Sequence, residues 1–131
     1  MEDALRQPMV LVVEDEPLIR MMLVDALDEA GFAVVEAGDA DEGLRAFSAQ
    51  PEIEAIVTDV HMPGSMDGFA LARHVQSMRP DLKALIVSGK FLPTSSELSH
   101  ARRFLPKPYD VEKVIEELFD MIGLPPGLRP A

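Results

Sequence analysis

The chain has 131 residues, 47% of them apolar, which suits one ordinary domain with a single core. Cysteine is absent, which excludes disulfides, thiolate metal sites and cysteine nucleophiles and fits a reducing compartment. With 23 acidic against 12 basic residues the formal net charge is −11, a field that repels nucleic acid and favours protein partners; only Arg102, Arg103 and Lys107 are dense enough to seed a basic patch.

No stretch approaches the roughly 18 apolar residues of a membrane span. Residues 1–8 lack the basic and apolar regions of a signal peptide, so a cytoplasmic location is expected, with no membrane partner.

Short apolar runs alternate with amphipathic segments, the pattern of a parallel sheet wrapped by helices. Residues 9–13 read as a strand buried on both faces. Pro17 suits the first turn of a helix. Leu18, Ile19, Met22, Leu23, Ala26, Leu27 and Ala30 recur at helical spacing, and Gly31 is a stop. Met21 and Met22 read mainly as core filler, with an adaptable docking patch as the alternative. Residues 33–35 form a second strand. Asp39 with Glu42 resembles a capping box and opens a helix to about Ser48. Residues 55–58 are the third strand, 60–66 a loop, and 67–78 a helix ended by Pro80. Residues 83–87 are the fourth strand. Between it and a fifth strand at 103–105, Pro93 leaves room only for a short helix near 97–101, anchored by Leu98. Residues 89–102 are therefore expected to be loosely held and to gain order on activation. Asp110 caps a last helix over 111–122, with Val111, Val114, Ile115, Leu118, Phe119 and Ile122 facing inward. The expected organisation is one domain over residues 1–131, with a core at about 8–122 and a loose Pro- and Gly-rich tail at 123–131.

Five β-α units with right-handed crossovers give an α/β, doubly wound, five-stranded parallel sheet. Ligands in such sheets sit beyond the carboxyl ends of the strands. The residues there are Glu14, Asp15 and Glu16 after the first strand, Asp59 after the third, Ser88 after the fourth and Lys107 after the fifth. Each has an ordinary structural reading. Asp15 or Glu16 could favour a helix start, Asp59 could cap a turn, Ser88-Gly89 is a common turn pair, and Lys107 could be a surface lysine. Four such accidents on one sheet edge are improbable together. Clustered carboxylates need an offsetting charge, and a hard divalent cation with few protein ligands, Mg²⁺, is the natural candidate. His61 and His74 show no ligand spacing with His100.

The pattern VLVVEDEP…VTDVHMPGSMDG…LIVSG…FLPKPY resembles the response-regulator receiver family of two-component systems, in its single-domain, chemotaxis-regulator-like form, over nearly the whole chain. The resemblance implies the flavodoxin-like strand order 2-1-3-4-5. It implies Glu14 and Asp15 as the acidic metal pair and Asp59 as phosphoacceptor. The backbone carbonyl of His61 would complete the ligands of Mg²⁺. It further implies Ser88 as the hydroxyl that meets the phosphoryl group, Lys107 as its cationic partner and Phe104 as the switch aromatic. The Lys107–Pro108 bond is often cis in this family. The donor would be a sensor histidine kinase or a phosphotransfer protein, the output an unidentified protein target, and the module a signalling domain rather than an enzyme. Two departures stand out: the loop after Asp59 is one residue longer than the commonest form, and the fourth helix is shortened.

Other classes fit less well. A phosphatase of the haloacid dehalogenase type places a D-x-D pair after its first strand, whereas this chain has Glu14-Asp15-Glu16. A nucleotide- or flavin-binding module wants a Gly-rich loop there, and the first glycine is Gly31. A pseudo-receiver would lack an acidic residue or the lysine. A receiver module of a larger or hybrid protein, acting as phosphorelay intermediate or phosphate sink, remains the alternative to a stand-alone regulator.

Overall fold

The computed structural model describes residues 7–64, 66–89, 98–99 and 101–124. The elements run β1 (Met9–Val13), α1 (Pro17–Glu29), β2 (Ala33–Ala37), α2 (Ala40–Ala49), β3 (Ile53–Asp59), α3 (Gly68–Met78), β4 (Lys83–Ser88), β5 (Arg102–Pro106) and α4 (Val111–Ile122). All five strands pair in parallel, in the order β2-β1-β3-β4-β5.

The period-2 alternation of each strand divides the core in two. Leu11, Val13, Ile56, Ala84 and Ile86 face one side and meet Phe47 of α2 and Leu71, Ala72 and Val75 of α3. Val10, Val12, Ala55, Val57, Leu85 and Val87 face the other and meet Leu23 and Leu27 of α1 and Val114, Leu118 and Phe119 of α4. Phe32, just before β2, stacks on Phe119 with ring centroids 4.5 Å apart. The central strands β1, β3 and β4 are covered on both faces, so they read in sequence as continuous apolar runs.

The helix starts follow from local chemistry. Pro17 opens α1. Asp39 accepts from the Glu42 N–H at 2.8 Å, Asp67 from the Ala70 N–H at 2.8 Å, and Asp110 more loosely from the Glu112 N–H at 3.4 Å. Glu42 bonds the Gly38 N–H, one residue outside a standard capping box. Gly123 closes α4 at φ 88°, and the buried Leu124 donates its N–H back to Phe119 O at 2.9 Å. These two residues, expected in the loose tail, are thus held; residues 125–131 lie outside the described residues.

At the amino ends of the strands, Arg79 donates to Ile53 O at 2.9 Å and Phe47 O at 3.3 Å and lies 4.0 Å over the Phe47 ring. Gln76 donates to Leu82 O and Ala101 O, both at 2.9 Å, and accepts from Arg102 Nε at 2.9 Å. This edge of the sheet is therefore stitched to α3.

Three expectations need adjusting. Strands extend further than read: β2 to Ala37, β3 from Ile53 to Asp59, β4 to Ser88, and β5 from Arg102 to Pro106. Met21 and Met22 are 52% and 58% exposed and do not fill the core, because the buried stripe of α1 runs through Leu23 and Leu27 instead. Among the described residues no helix stands between β4 and β5. Ser99 and Arg102 instead pair in an antiparallel bridge, N–H to O at 3.0 and 3.2 Å. Residues 90–97 and His100 lie outside the described residues, so most of the segment expected to order on activation does too.

Candidate functional site

Strands β1, β3, β4 and β5 lie side by side, so the residues at their carboxyl ends share one edge. Asp59 pairs with Val87 and Ser88 with Pro106. The ladder continues past the strand ends: Glu14 N–H to Ala37 O at 3.1 Å, Val60 N–H to Val87 O at 3.2 Å, and Lys107 N–H to Ser88 O at 2.9 Å. Glu14, Asp59 and Ser88 are buried. Carboxylate oxygens of Glu14, Asp15 and Asp59 lie within 4.8 Å of one another. Lys107 Nζ sits 2.9 Å from Asp59 Oδ2 and 3.7 Å from Glu14 Oε1. Glu16 stays exposed outside this cluster; its backbone N–H donates to Glu14 Oε2 at 3.1 Å. An opening of about 250 Å³ lined by Asp59, His61, Gly89 and Lys107 gives access.

Burial raises the Glu14 carboxyl above its ordinary value, and outweighs the Glu16 N–H and the Lys107 charge, which both lower it. Burial pulls the Lys107 ammonium down, but the hydrogen bond to Asp59 and the charges of Glu14 and Asp59 carry it above its ordinary value. An acid raised in the folded state costs stability when ionised. That cost grows as pH rises from the ordinary 4.5 and is complete above the raised value. Glu14→Gln, which keeps an acceptor for Glu16, should therefore melt higher than wild type at pH 7 without metal. The gain should fade as pH falls towards 4.5. Melting in EDTA across that range checks this; an equal or lower melting point at pH 7 counts against an uncompensated charge.

The loop after Asp59 is anchored by close packing. Gly68 donates its N–H to Val60 O at 2.9 Å. A Cβ on Gly68 would fall 1.7 Å from Asp59 O and 2.8 Å from Thr58 Oγ1. Thr58 Oγ1 donates to Asp59 O at 2.9 Å. Within the loop Gly64 takes φ 115°, a left-handed conformation that suits glycine.

Phe104 pairs with Ile86 in the sheet and packs half-buried against the core. The Lys107–Pro108 bond is cis. The basic triplet does not make a patch. Arg102 turns to Gln76, Arg103 pairs with Glu117 and Asp120 at 2.9 and 2.8 Å, and Lys107 enters the acidic site. The exposed Leu18, Met21 and Met22 form an apolar face on α1. Beside it a hollow of about 420 Å³, lined by Met22, Tyr109, Pro108 and Val111 among others, reaches Lys107.

Residues 10–119 match the response regulator receiver domain. The chain belongs to this family. Among its relatives, the sensor kinase CckA of Brucella abortus is 35% identical over 86% of the chain, which spans 12% of that protein. The response regulator receiver protein CpdR of the same organism is 29% identical over 86% of this chain and 95% of its own length. The solved response regulator TrrA of Thermotoga maritima, in complex with Mg²⁺-BeF, superposes with a TM-score of 0.76 at 26% identity. The match covers 88% of this chain and 99% of that one. As a receiver, the chain is a signalling module of two-component systems, a class implying histidine kinases as partners, and its acidic pocket fits a phosphoacceptor site. No helix among the described residues is long and apolar enough to cross a membrane.

One residue beside the receiver's acidic pocket escaped the sequence reading. Arg20, on α1, donates from Nη1 to Glu14 O at 2.7 Å and from Nε to Glu36 Oε1 at 3.1 Å. Its only signal in sequence is a cation set among Leu18, Ile19, Met21 and Met22.

Proposed function

We propose that this receiver accepts a phosphoryl group on Asp59 from a phosphohistidine of a sensor histidine kinase or phosphotransfer protein. Mg²⁺ would be held by Glu14, Asp15, Asp59 and the His61 carbonyl. The observation that carries this reading is Lys107 Nζ at 2.9 Å from Asp59 Oδ2, inside a cluster of three carboxylates. At these separations each pair repels by about 3–4 kcal/mol at an effective dielectric of about 20. One ammonium offsets one charge and leaves a surplus. That surplus, with oxygen donors and few of them, fits Mg²⁺ better than calcium.

Asp59 attacks in line; the P–N bond to histidine breaks as the P–O bond to the carboxylate forms. When bound, Mg²⁺ supplies charge neutralisation for the phosphoryl oxygens. Lys107 pairs with Asp59 beforehand and then has a phosphoryl oxygen to neutralise. The product is a mixed anhydride, which hydrolyses unless water is excluded and so gives the domain an intrinsic dephosphorylation. Ser88 donates its hydroxyl to a phosphoryl oxygen, and its inward shift makes room for Phe104 to turn in, so a local charge becomes a changed surface for a protein target. The exposed α1 face and the adjoining hollow suit docking by the donor. The cytoplasm is the compartment where such a donor would be met.

Incubation with acetyl phosphate and Mg²⁺ should add the mass of one phosphoryl group, and the same incubation in EDTA should add none. No uptake with Mg²⁺ would overturn the phosphoacceptor reading, and equal uptake in EDTA would overturn the metal's part. The likeness to one segment of a sensor kinase supports a second reading, a module of a hybrid protein that relays or drains phosphoryl groups.

A further inference from the structure

We propose that Arg20 is a positioning residue for the acidic turn that binds the metal, an inference that rests on the Mg²⁺ reading above. Arg20 lies on the first turn of α1, whose neighbours Leu18, Met21 and Met22 face solvent. Its own side chain turns back to the sheet and is 23% exposed. Nη1 donates to Glu14 O at 2.7 Å, so the guanidinium grips the peptide that joins Glu14 to Asp15, two of the three clustered carboxylates. Nε donates to Glu36 Oε1 at 3.1 Å, which anchors the guanidinium on β2.

The same turn is held elsewhere. The Glu14 N–H bonds Ala37 O at 3.1 Å, and Glu14 Oε2 accepts from the Glu16 N–H at 3.1 Å. Arg20 adds a restraint on the Glu14 carbonyl. A planar guanidinium fixes the angle between its two bonds, which a lysine ammonium on a flexible stem does not. Gly38 bounds the space beside it: a Cβ there would lie 3.2 Å from Arg20 Nη1, so the guanidinium would have to give by a few tenths of an ångström. Glu42 holds the Gly38 N–H at 2.5 Å and so fixes that wall.

Charge and geometry predict opposite signs here, which makes the role testable. Arg20 is a cation beside an anionic site. By charge alone, removing it would tighten Mg²⁺ binding. If Arg20 acts by positioning, removing it loosens Mg²⁺ binding, as loss of an outer partner of a metal ligand does, by about tenfold or more.

The experiment is calorimetric titration of MgCl₂ into the metal-free full chain, with metal-free melting measured alongside. Arg20→Met is expected to raise the Mg²⁺ Kd about tenfold. Arg20→Lys, which preserves the charge, should recover only part of the affinity. Gly38→Ala, which changes no charge but crowds Nη1, should shift Kd in the same direction as Arg20→Met. Should Arg20→Met fail to fold, Arg20→Lys and Gly38→Ala carry the comparison. A lower melting point with an unchanged Kd would reduce Arg20 to a structural tie, and a lower Kd would make it a charge effect; either overturns the proposal. Absence of Mg²⁺ binding by the wild type would instead overturn the metal reading itself, and this inference with it.

Discussion

Asp59→Asn is expected to keep the fold and to lose phosphoryl uptake altogether. The amide has the shape of the carboxylate, so the buried position at the end of β3 is refilled without a cavity. What it lacks is the anionic oxygen that attacks phosphorus. The substitution also removes one charge from the cluster with Glu14 and Asp15, which eases their repulsion. Lys107 loses the charge of its 2.9 Å partner but keeps Glu14 at 3.7 Å, and its side chain is 25% exposed, so no isolated buried cation results. Circular dichroism should match wild type, and intact mass after acetyl phosphate with Mg²⁺ should show no added group. Undiminished uptake would move the phosphoacceptor to another carboxylate.

Gly68→Ala should be the most damaging single change near the site. The added Cβ would meet backbone, not a flexible side-chain tip: Asp59 O at 1.7 Å and Asp59 C at 2.6 Å. Relief requires a shift either of Asp59, which pairs with Val87 on β4, or of the start of α3. Overpacking of this kind costs about 1–3 kcal/mol, and more where the clash is with backbone. Urea unfolding should show that loss, and phosphoryl uptake should fall with it, because the displaced atoms belong to Asp59. Wild-type stability in Gly68→Ala would mean that α3 starts elsewhere.

Much of this architecture is legible in sequence because it rests on local rules. Strand runs, the Pro17 helix start and the Asp39, Asp67 and Asp110 caps are each written in a few adjacent residues. The carboxylates and Lys107 follow from asking what comes after each strand. Arg20 was not legible, because its partners lie 6 and 16 positions away and no pattern joins them. Met21 and Met22 misled because a helical stripe of apolar residues is wider than the face that packs. Arg102 and Arg103 suggested a patch because neighbours in a strand look adjacent in sequence yet point to opposite faces.

The clamp made by Arg79 and Gln76 sits at the far edge of the sheet from Asp59. Each edge has its own set of ties, and the β-strands together with α3, which starts beside Asp59 and carries Gln76 near its end, span the distance between them. Damage at the Arg79 end, which holds none of the clustered carboxylates, is expected to act chiefly on the population of folded molecules. If Arg20 positions the acidic turn as proposed, damage at its end would act on how well each folded molecule responds. On that reading, the abundance of this domain and its responsiveness would be weighted towards opposite ends of the same strands.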